Sequence, residues 1–243
     1  HILLSDADAQ DRVRLRLYDV RAGKDVWEAI YPSKSLVLQS AAPGLAGAVA
    51  PDGTVHVVDA DSGKELLKAK MKPEHLVKVD KVRLLADRDS FYVACVGPTD
   101  TNILAFGGVR SNLMPGTGLR AVPVNGELYA FTRFTGKPRW FASMPDQMVV
   151  LDRFEELPAL LFTATYQKWV IDGAARHVQQ VTEAVALDKR TGKRLYNGMN
   201  LPQGMQFHTL RVDVGKGRID FTGYQRRVSF TVAGEKPVPG AGK

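Results

Sequence analysis

A single cysteine in 243 residues excludes an intramolecular disulfide and any thiolate zinc cage, since such sites need several sulfur or imidazole ligands. Cys95 lies in the apolar run 91–96, where a buried strand residue is expected. No stretch approaches the roughly 18 uninterrupted apolar residues of a membrane helix, so no membrane span is expected. The first residues lack the charged-then-apolar layout of a signal peptide, but the sequence opens on His1 and this leaves the compartment undecided. Aromatic content of 8% with 22 Gly and 13 Pro is ordinary globular usage and excludes collagen, coiled coil and disorder.

Catalytic motifs are also scarce. There is no Gly-x-Ser-x-Gly or His-Glu-x-x-His, and His56, His75, His177 and His208 form no pair at metal-ligand spacing. Gly116-Thr117-Gly118-Leu119-Arg120-Ala121 fits a dinucleotide-binding glycine pattern literally. That pattern has meaning only between a strand and a helix, and no helix follows. Asp59, Asp61 and Gly63 resemble a calcium loop, yet the glycine falls one place early and Lys70 stands where the bidentate Glu belongs. No metal site is assigned.

What the sequence does contain is a repeat. Four segments align on Gly-Lys pairs at Gly23, Gly63, Gly136 and Gly192. Five positions before the glycine stands an apolar or aromatic residue (Tyr18, Val58, Phe131, Leu187). Four before it is Asp19, Asp59 or Asp188, with Thr132 in the third copy; four after it is Trp27, Leu67, Trp140 or Tyr196. Each unit predicts a strand, a tight turn and a strand: Asp and Ser/Thr bond turn amides, and Gly supplies the positive φ. The bulky residue at the fixed offset is expected to pack between neighbouring sheets.

The spacing places strands at 35–40, 45–50, 54–60 and 65–70, then at 76–85, 91–97, 127–133 and 138–144. A third group follows at 148–154, 159–167, 182–189 and 194–200, and a last at 207–214, 218–224 and 227–232. Residues 98–126 and 168–181 are left as inserted loops, and 234–243 as a flexible tail.

The pattern apolar-Asp-x-x-Thr-Gly-Lys-x-x-Trp is similar to the repeat of the pyrroloquinoline-quinone-like β-propellers. That family includes quinoprotein dehydrogenases and the non-enzymatic propeller lipoprotein of the bacterial outer-membrane assembly machinery. The resemblance implies an all-β fold, a β-propeller of four-stranded antiparallel blades forming one domain over residues 1–243, with about four to five blades present. Residues 1–32 supply only the later strands of a first blade and the C-terminus only three of a last. The count implies a small closed ring or part of a larger propeller, the second being preferred. A periplasmic or otherwise extracytoplasmic location follows from the same resemblance, and a protein partner from the binding or scaffold reading. For the dehydrogenase branch it implies pyrroloquinoline quinone with calcium, held by acidic and amide side chains above a tryptophan, and in many members adjacent cysteines. Adjacent cysteines are absent here, and Trp27 and Trp140 are used by the repeat. The expectation is therefore a non-catalytic binding or scaffold module without a cofactor, a quinone-dependent enzyme or ligand sensor being the alternative.

Both insertions fall in second-to-third-strand connections and should share one face, often the binding face of a repeat protein. They supply the candidate ligand- or partner-binding residues: Arg110, Asn112 and Arg120 in the first, Lys168, Trp169, Asp172, Arg176 and His177 in the second. The formal charge of +7 has an address. Residues 184–243 hold 11 Lys or Arg against 4 Asp or Glu, and residues 1–183 hold 22 of each. A phosphate-tracking stripe would want interleaved exposed aromatics, which argues against nucleic acid. An acidic protein partner fits this basic end as well as a solvated sheet edge does.

Overall fold

The computed structural model describes residues 1–98, 119–173, 175–201, 209–213, 215–222 and 227–231. Their regular structure is all β apart from one 3-10 turn at Pro73–Leu76. The chain divides into two compact units, His1–Thr99 with Val124–Pro145, and Asp100–Pro123 with Asp146–Lys243.

The first unit is built of antiparallel meanders. Strands β1 (Ile2–Ala7), β2 (Val13–Asp19) and β3 (Lys24–Tyr31) form a three-stranded sheet in that order. Strands β4 (Leu36–Ser40), β5 (Leu45–Val49), β6 (Thr54–Asp59) and β7 (Glu65–Lys70) form the next. The third comprises β8 (Lys81–Ala86), β9 (Ser90–Val96), β10 (Ala121–Thr132) and the first half of β11 (Pro138–Val150). The leading strands β4 and β8 pair in parallel, Leu38 with Val82, Gln39 with Arg83 and Ser40 with Leu84.

All four Gly-Lys turns take the conformation their sequence asks for. Gly23, Gly63, Gly136 and Gly192 have φ of 65°, 71°, 66° and 70°. Each glycine N–H donates to the carbonyl four residues earlier, at 2.8–2.9 Å. The Asp59 carboxylate accepts the Ser62 amide at 2.9 Å and hydroxyl at 2.7 Å; Asp188 accepts the Arg190 and Thr191 amides. Hydrogen bonds to these carboxylates favour the ionised form, and they hold Asp19 and Asp59 below the usual range.

The bulky residue after the turn joins successive sheets. Trp27 of β3 lies over Gly63 so closely that a methyl there would come within 2.7 Å of its Cγ, and its indole N–H donates to the Ala60 carbonyl at 3.0 Å. Leu67 repeats the contact on Gly136, a methyl there meeting its Cδ1 at 3.2 Å. Around these contacts lie the cores. Leu15, Tyr31, Ala46, Ala48 and Val58 pack between the first and second sheets. Val55, Val57, Leu84, Phe91, Val93, Cys95 and Phe131 pack between the second and third. Cys95 is fully buried as expected, and burial, followed by the Glu127 charge, pushes its thiol up to about 12.

The second unit contains the end of β11, then β12 (Ala159–Asp172), β13 (Ala175–Asp188) and β14 (Arg194–Leu201). A further meander comprises β15 (Thr209–Asp213), β16 (Arg218–Thr222) and β17 (Arg227–Thr231). Val150, Leu161, Ala184, Ala186 and Ile219, with Tyr196, Leu210 and Val212 against them, form its core.

The structure corrects four strand assignments. Residues 76–80 are not strand: Pro73 lacks a ladder N–H, and the 3-10 turn leaves Val77 79% exposed before β8 begins at Lys81. Strand β10 starts at Ala121 rather than 127, so part of the first insertion is ladder, and the Gly97 N–H donates to the Asn125 carbonyl. β11 runs unbroken through 145–147 where two strands were expected. Asp146 takes φ 51° within it, a conformation Asp tolerates better than most residues. The second insertion, 168–181, is a continuation of β12 and β13 around Gly173 and not a loop. The tail 234–243 lies outside the described residues.

Candidate functional site

The β12–β13 hairpin gathers five of the eight candidate residues. Its ladder runs without a register shift from Ala159 opposite Asp188 to Asp172 opposite Ala175. The last five rungs hold Lys168 opposite Gln179, Trp169 opposite Val178, Val170 opposite His177, Ile171 opposite Arg176, and Asp172 opposite Ala175. His177 is exposed, as is Gly173 at the turn.

The base and the end of this hairpin differ physically. At the base Leu160, Leu161, Phe162, Val185, Ala186 and Leu187 are buried, with β11 pairing at Met148–Thr163 and Val149–Phe162, and β14 reaching Thr182. Beyond that, the rungs from Tyr166–Val181 to Asp172–Ala175 are flanked by no described strand. Among the described strands the ribbon is thus two wide over residues 166–172, a length of about 24 Å at 3.4 Å per residue. An isolated two-stranded ribbon is only marginally stable in water and gains from a surface to lie on.

The first insertion contributes less. Arg110 and Asn112 lie outside the described residues. Arg120 is engaged: its amide donates to Asp152 Oδ2 at 2.6 Å and its Nε to Oδ1 at 3.2 Å, while its carbonyl accepts the Leu151 amide.

The basic end is partly neutralised locally. Asp220, 6% exposed, accepts bonds from Arg227, Ser229 and Arg218, and the Arg227 guanidinium foremost holds its carboxyl well below the usual range. Arg211 and Lys216 remain exposed on the same meander, Lys216 beside Asp213.

Three polar groupings escaped the sequence. Gln147 and Glu183, both buried, meet between β11 and β13, with Gln147 Nε2 donating to Glu183 Oε2 at 3.3 Å. A polar residue at an otherwise apolar strand position was the only sign. In the first unit, Tyr129 Oη accepts the Lys72 amide at 3.2 Å and shares a hydrogen bond with His75 Nδ1 at 2.6 Å. This pins the 3-10 turn to β10, burial raises the Tyr129 phenol, and half-exposed Phe141 completes the cluster beneath Lys72 Nζ. The third grouping sets Glu65 Oε2 2.9 Å from His56 Nδ1, with the Tyr31 ring 5.4 Å from the imidazole. No sequence spacing links these partners.

Among the described residues no three His, Cys, Asp or Glu side chains are grouped to hold a metal. No described helix is long and apolar enough to cross a membrane.

No protein-family model and no curated protein matches the chain. Among solved structures it is similar to a europium-containing methanol dehydrogenase, at 13% identity and TM-score 0.36, over 80% of this chain and 48% of that one. It is similar to the quinohemoprotein alcohol dehydrogenase of Comamonas testosteroni at 12% identity and TM-score 0.37, over 91% and 40%. BamB from Moraxella catarrhalis is similar at 14% and 0.30, over 93% and 84%. The chain thus spans less than half the length of either dehydrogenase.

Proposed function

We propose that this chain forms blades of a β-propeller and works as a non-catalytic binding or scaffold module outside the cytoplasm, with the β12–β13 ribbon as its contact element. The propeller reading is supported by the repeat itself. Four-stranded meanders follow one another in a single sequence frame, their leading strands β4 and β8 side by side, with Trp27 seated on the Gly63 turn and Leu67 on the Gly136 turn. The observation that carries the binding reading is the two-stranded ribbon, long, unflanked by any described strand, and bearing Lys168, Trp169, Asp172, Arg176 and His177 at its end. Trp and Arg are the residues most often found to dominate interface energies. The surplus of Lys and Arg after residue 184 favours an acidic protein partner.

Replacing residues 167–180 by an Asn-Gly turn tests this. The base of the hairpin and the cooperative unfolding transition should survive, and capture of the partner by the immobilised protein should be lost. Retention of the partner would overturn the assignment of the ribbon. The proposal includes no resident cofactor: incubation with pyrroloquinoline quinone and Ca²⁺ should leave the absorption spectrum that of protein alone. A stoichiometric quinone spectrum with dye-linked alcohol oxidation would overturn the scaffold reading.

A further inference from the structure

Five arginines are half-buried among the described residues, and four of them have acceptors. Arg12 is held by Asp8, Arg14 by Asp6, and Arg16 by Asp6 and Asp25. Arg133 gives Nη1 to the Asp87 carbonyl and lies over the Phe91 ring. The fifth, Arg83 of β8, has no hydrogen-bond or carboxylate partner among the described residues, and its Nε is closed off from solvent. Its outer Nη1 and Nη2 are not closed off. Taking a guanidinium part-way out of water without an acceptor is unfavourable, and here burial alone pulls the Arg83 pKa below the ordinary arginine range. Local violations of this kind concentrate at functional sites.

The strands around Arg83 supply no anion. β8 runs between β4 and β9, so both of its flanks are taken, and none of these three strands contains Asp or Glu. Arg83 stands opposite Gln39 on β4 and Ala94 on β9, which places all three on one face of the sheet. Lys81, two residues back along β8, shares that face. Gln39 and Lys81 are both exposed. Of the two acids that bracket β8, Asp87 is engaged by the Asp89 and Ser90 amides and the Tyr92 hydroxyl, and Asp80 is exposed ahead of the strand.

We propose that Arg83, Lys81 and Gln39 form a binding site for a small dicarboxylic acid, one carboxylate on the Arg83 guanidinium and the second on the Lys81 ammonium. The guanidinium presents paired N–H groups that match the two oxygens of a carboxylate. Arg14 shows that match in the same sheet system, its Nε and Nη2 reaching the two Asp6 oxygens at 2.7 Å and 3.1 Å. One half-buried cation balances one negative charge, which favours a carboxylate over a doubly charged phosphate. Lys81 stands about 7 Å along the strand at 3.3 Å per residue, where its exposed ammonium meets a second carboxylate. The Gln39 amide, across the parallel ladder, donates to the first. The site uses neither the ribbon nor the basic end of the chain.

The test uses the full chain labelled with nitrogen-15, with succinate as probe and the arginine Nε–H resonances as the readout. Succinate should move the Arg83 resonance saturably, and sodium chloride at equal ionic strength should not. Lys81→Gln should weaken succinate about two- to fivefold, the scale of one exposed ion pair, to the level of acetate. Arg83→Met keeps an apolar stem and removes the uncompensated charge, so it should abolish succinate binding and leave the thermal midpoint unchanged or raised. No response to succinate would overturn the proposal, as would a response to phosphate alone. An Arg83 Nε–H that exchanges slowly and ignores every probe would show that the chain itself supplies the acceptor, and would equally overturn it. So would a clear fall in the midpoint of Arg83→Met, which would assign the side chain a structural partner.

Discussion

Alanine at the turn glycines separates backbone strain from packing between sheets, because three of the turns share one conformation and differ in what sits above them. Gly23, Gly136 and Gly63 have φ of 65°, 66° and 71°, so each Ala variant incurs a similar cost for an L-residue in the left-handed region, about 1–2 kcal/mol. A methyl at Gly23 meets nothing closer than 3.9 Å. At Gly136 it meets the flexible Leu67 Cδ1 and the Lys68 carbonyl, both at 3.2 Å. At Gly63 it falls 2.7 Å and 2.8 Å from Trp27 Cγ and Cδ2, and the indole is tied to Ala60 by its N–H and cannot give way without breaking that bond. Overpacking of this kind adds about 1–3 kcal/mol. Urea denaturation followed by tryptophan fluorescence should rank the losses Gly23→Ala, then Gly136→Ala, then Gly63→Ala, the last exceeding the first by about 1–3 kcal/mol. In a Trp27→Leu background the excess at Gly63 should largely vanish, because the leucine has neither the ring nor the indole bond. Equal losses at Gly23 and Gly63, or an excess indifferent to Trp27, would refute the claim that this contact staples the first sheet to the second.

Other outcomes follow from the same geometry. Cys95, fully buried with its thiol raised to about 12, should resist a thiol reagent such as DTNB at pH 8 and react at the rate at which the β8–β10 region opens, which timed labelling in urea will show. Asp220→Asn should cost about 1.5–3 kcal/mol at pH 7, the scale of hydrogen bonds to a charged group. Because the folded carboxyl is depressed, that stability is present above the unfolded value near pH 4 and lost as pH falls further, so wild type and variant should converge in acid; a difference unchanged at pH 2 would contradict the assignment. Tyr129→Phe leaves the Lys72 amide and His75 Nδ1 without their shared hydroxyl and should cost about 1–2 kcal/mol, with faster exchange of the amides of residues 72–79 as its local signature.

The strands around the first complete turn, 36–40, 45–49, 54–59 and 65–70, were legible almost to the residue. Their signals are local: Asp bonding the turn amides, Gly at positive φ, alternation on either side. The β12–β13 ribbon was not legible as strand beyond Gln167. Period-2 reasoning looks for one apolar face, and Gln-Lys-Trp-Val-Ile-Asp against Ala-Arg-His-Val-Gln-Gln has none to show. Its five candidate residues were singled out for their chemistry alone, and that they share one hairpin came only from the ladder. The Tyr129–His75 bond joins residues 54 apart in the sequence, and no local pattern can announce such a pair. The parallel pairing of β4 with β8 is of the same kind, set by tertiary packing and invisible to strand-by-strand reading.

That pairing is where the account is most exposed. A Gln39→Cys/Arg83→Cys variant places the two thiols on Cα partners of one parallel rung, about 4.8 Å apart across the ladder and within disulfide reach. A Gln39→Cys/Lys81→Cys variant moves one of them two residues along, to about 8 Å and out of reach. Mild oxidation of the folded protein should join 39 to 83 and leave 39 and 81 as free thiols, buried Cys95 taking no part. No disulfide at 39–83, or equal yields from both variants, would contradict the side-by-side leading strands on which the propeller reading stands.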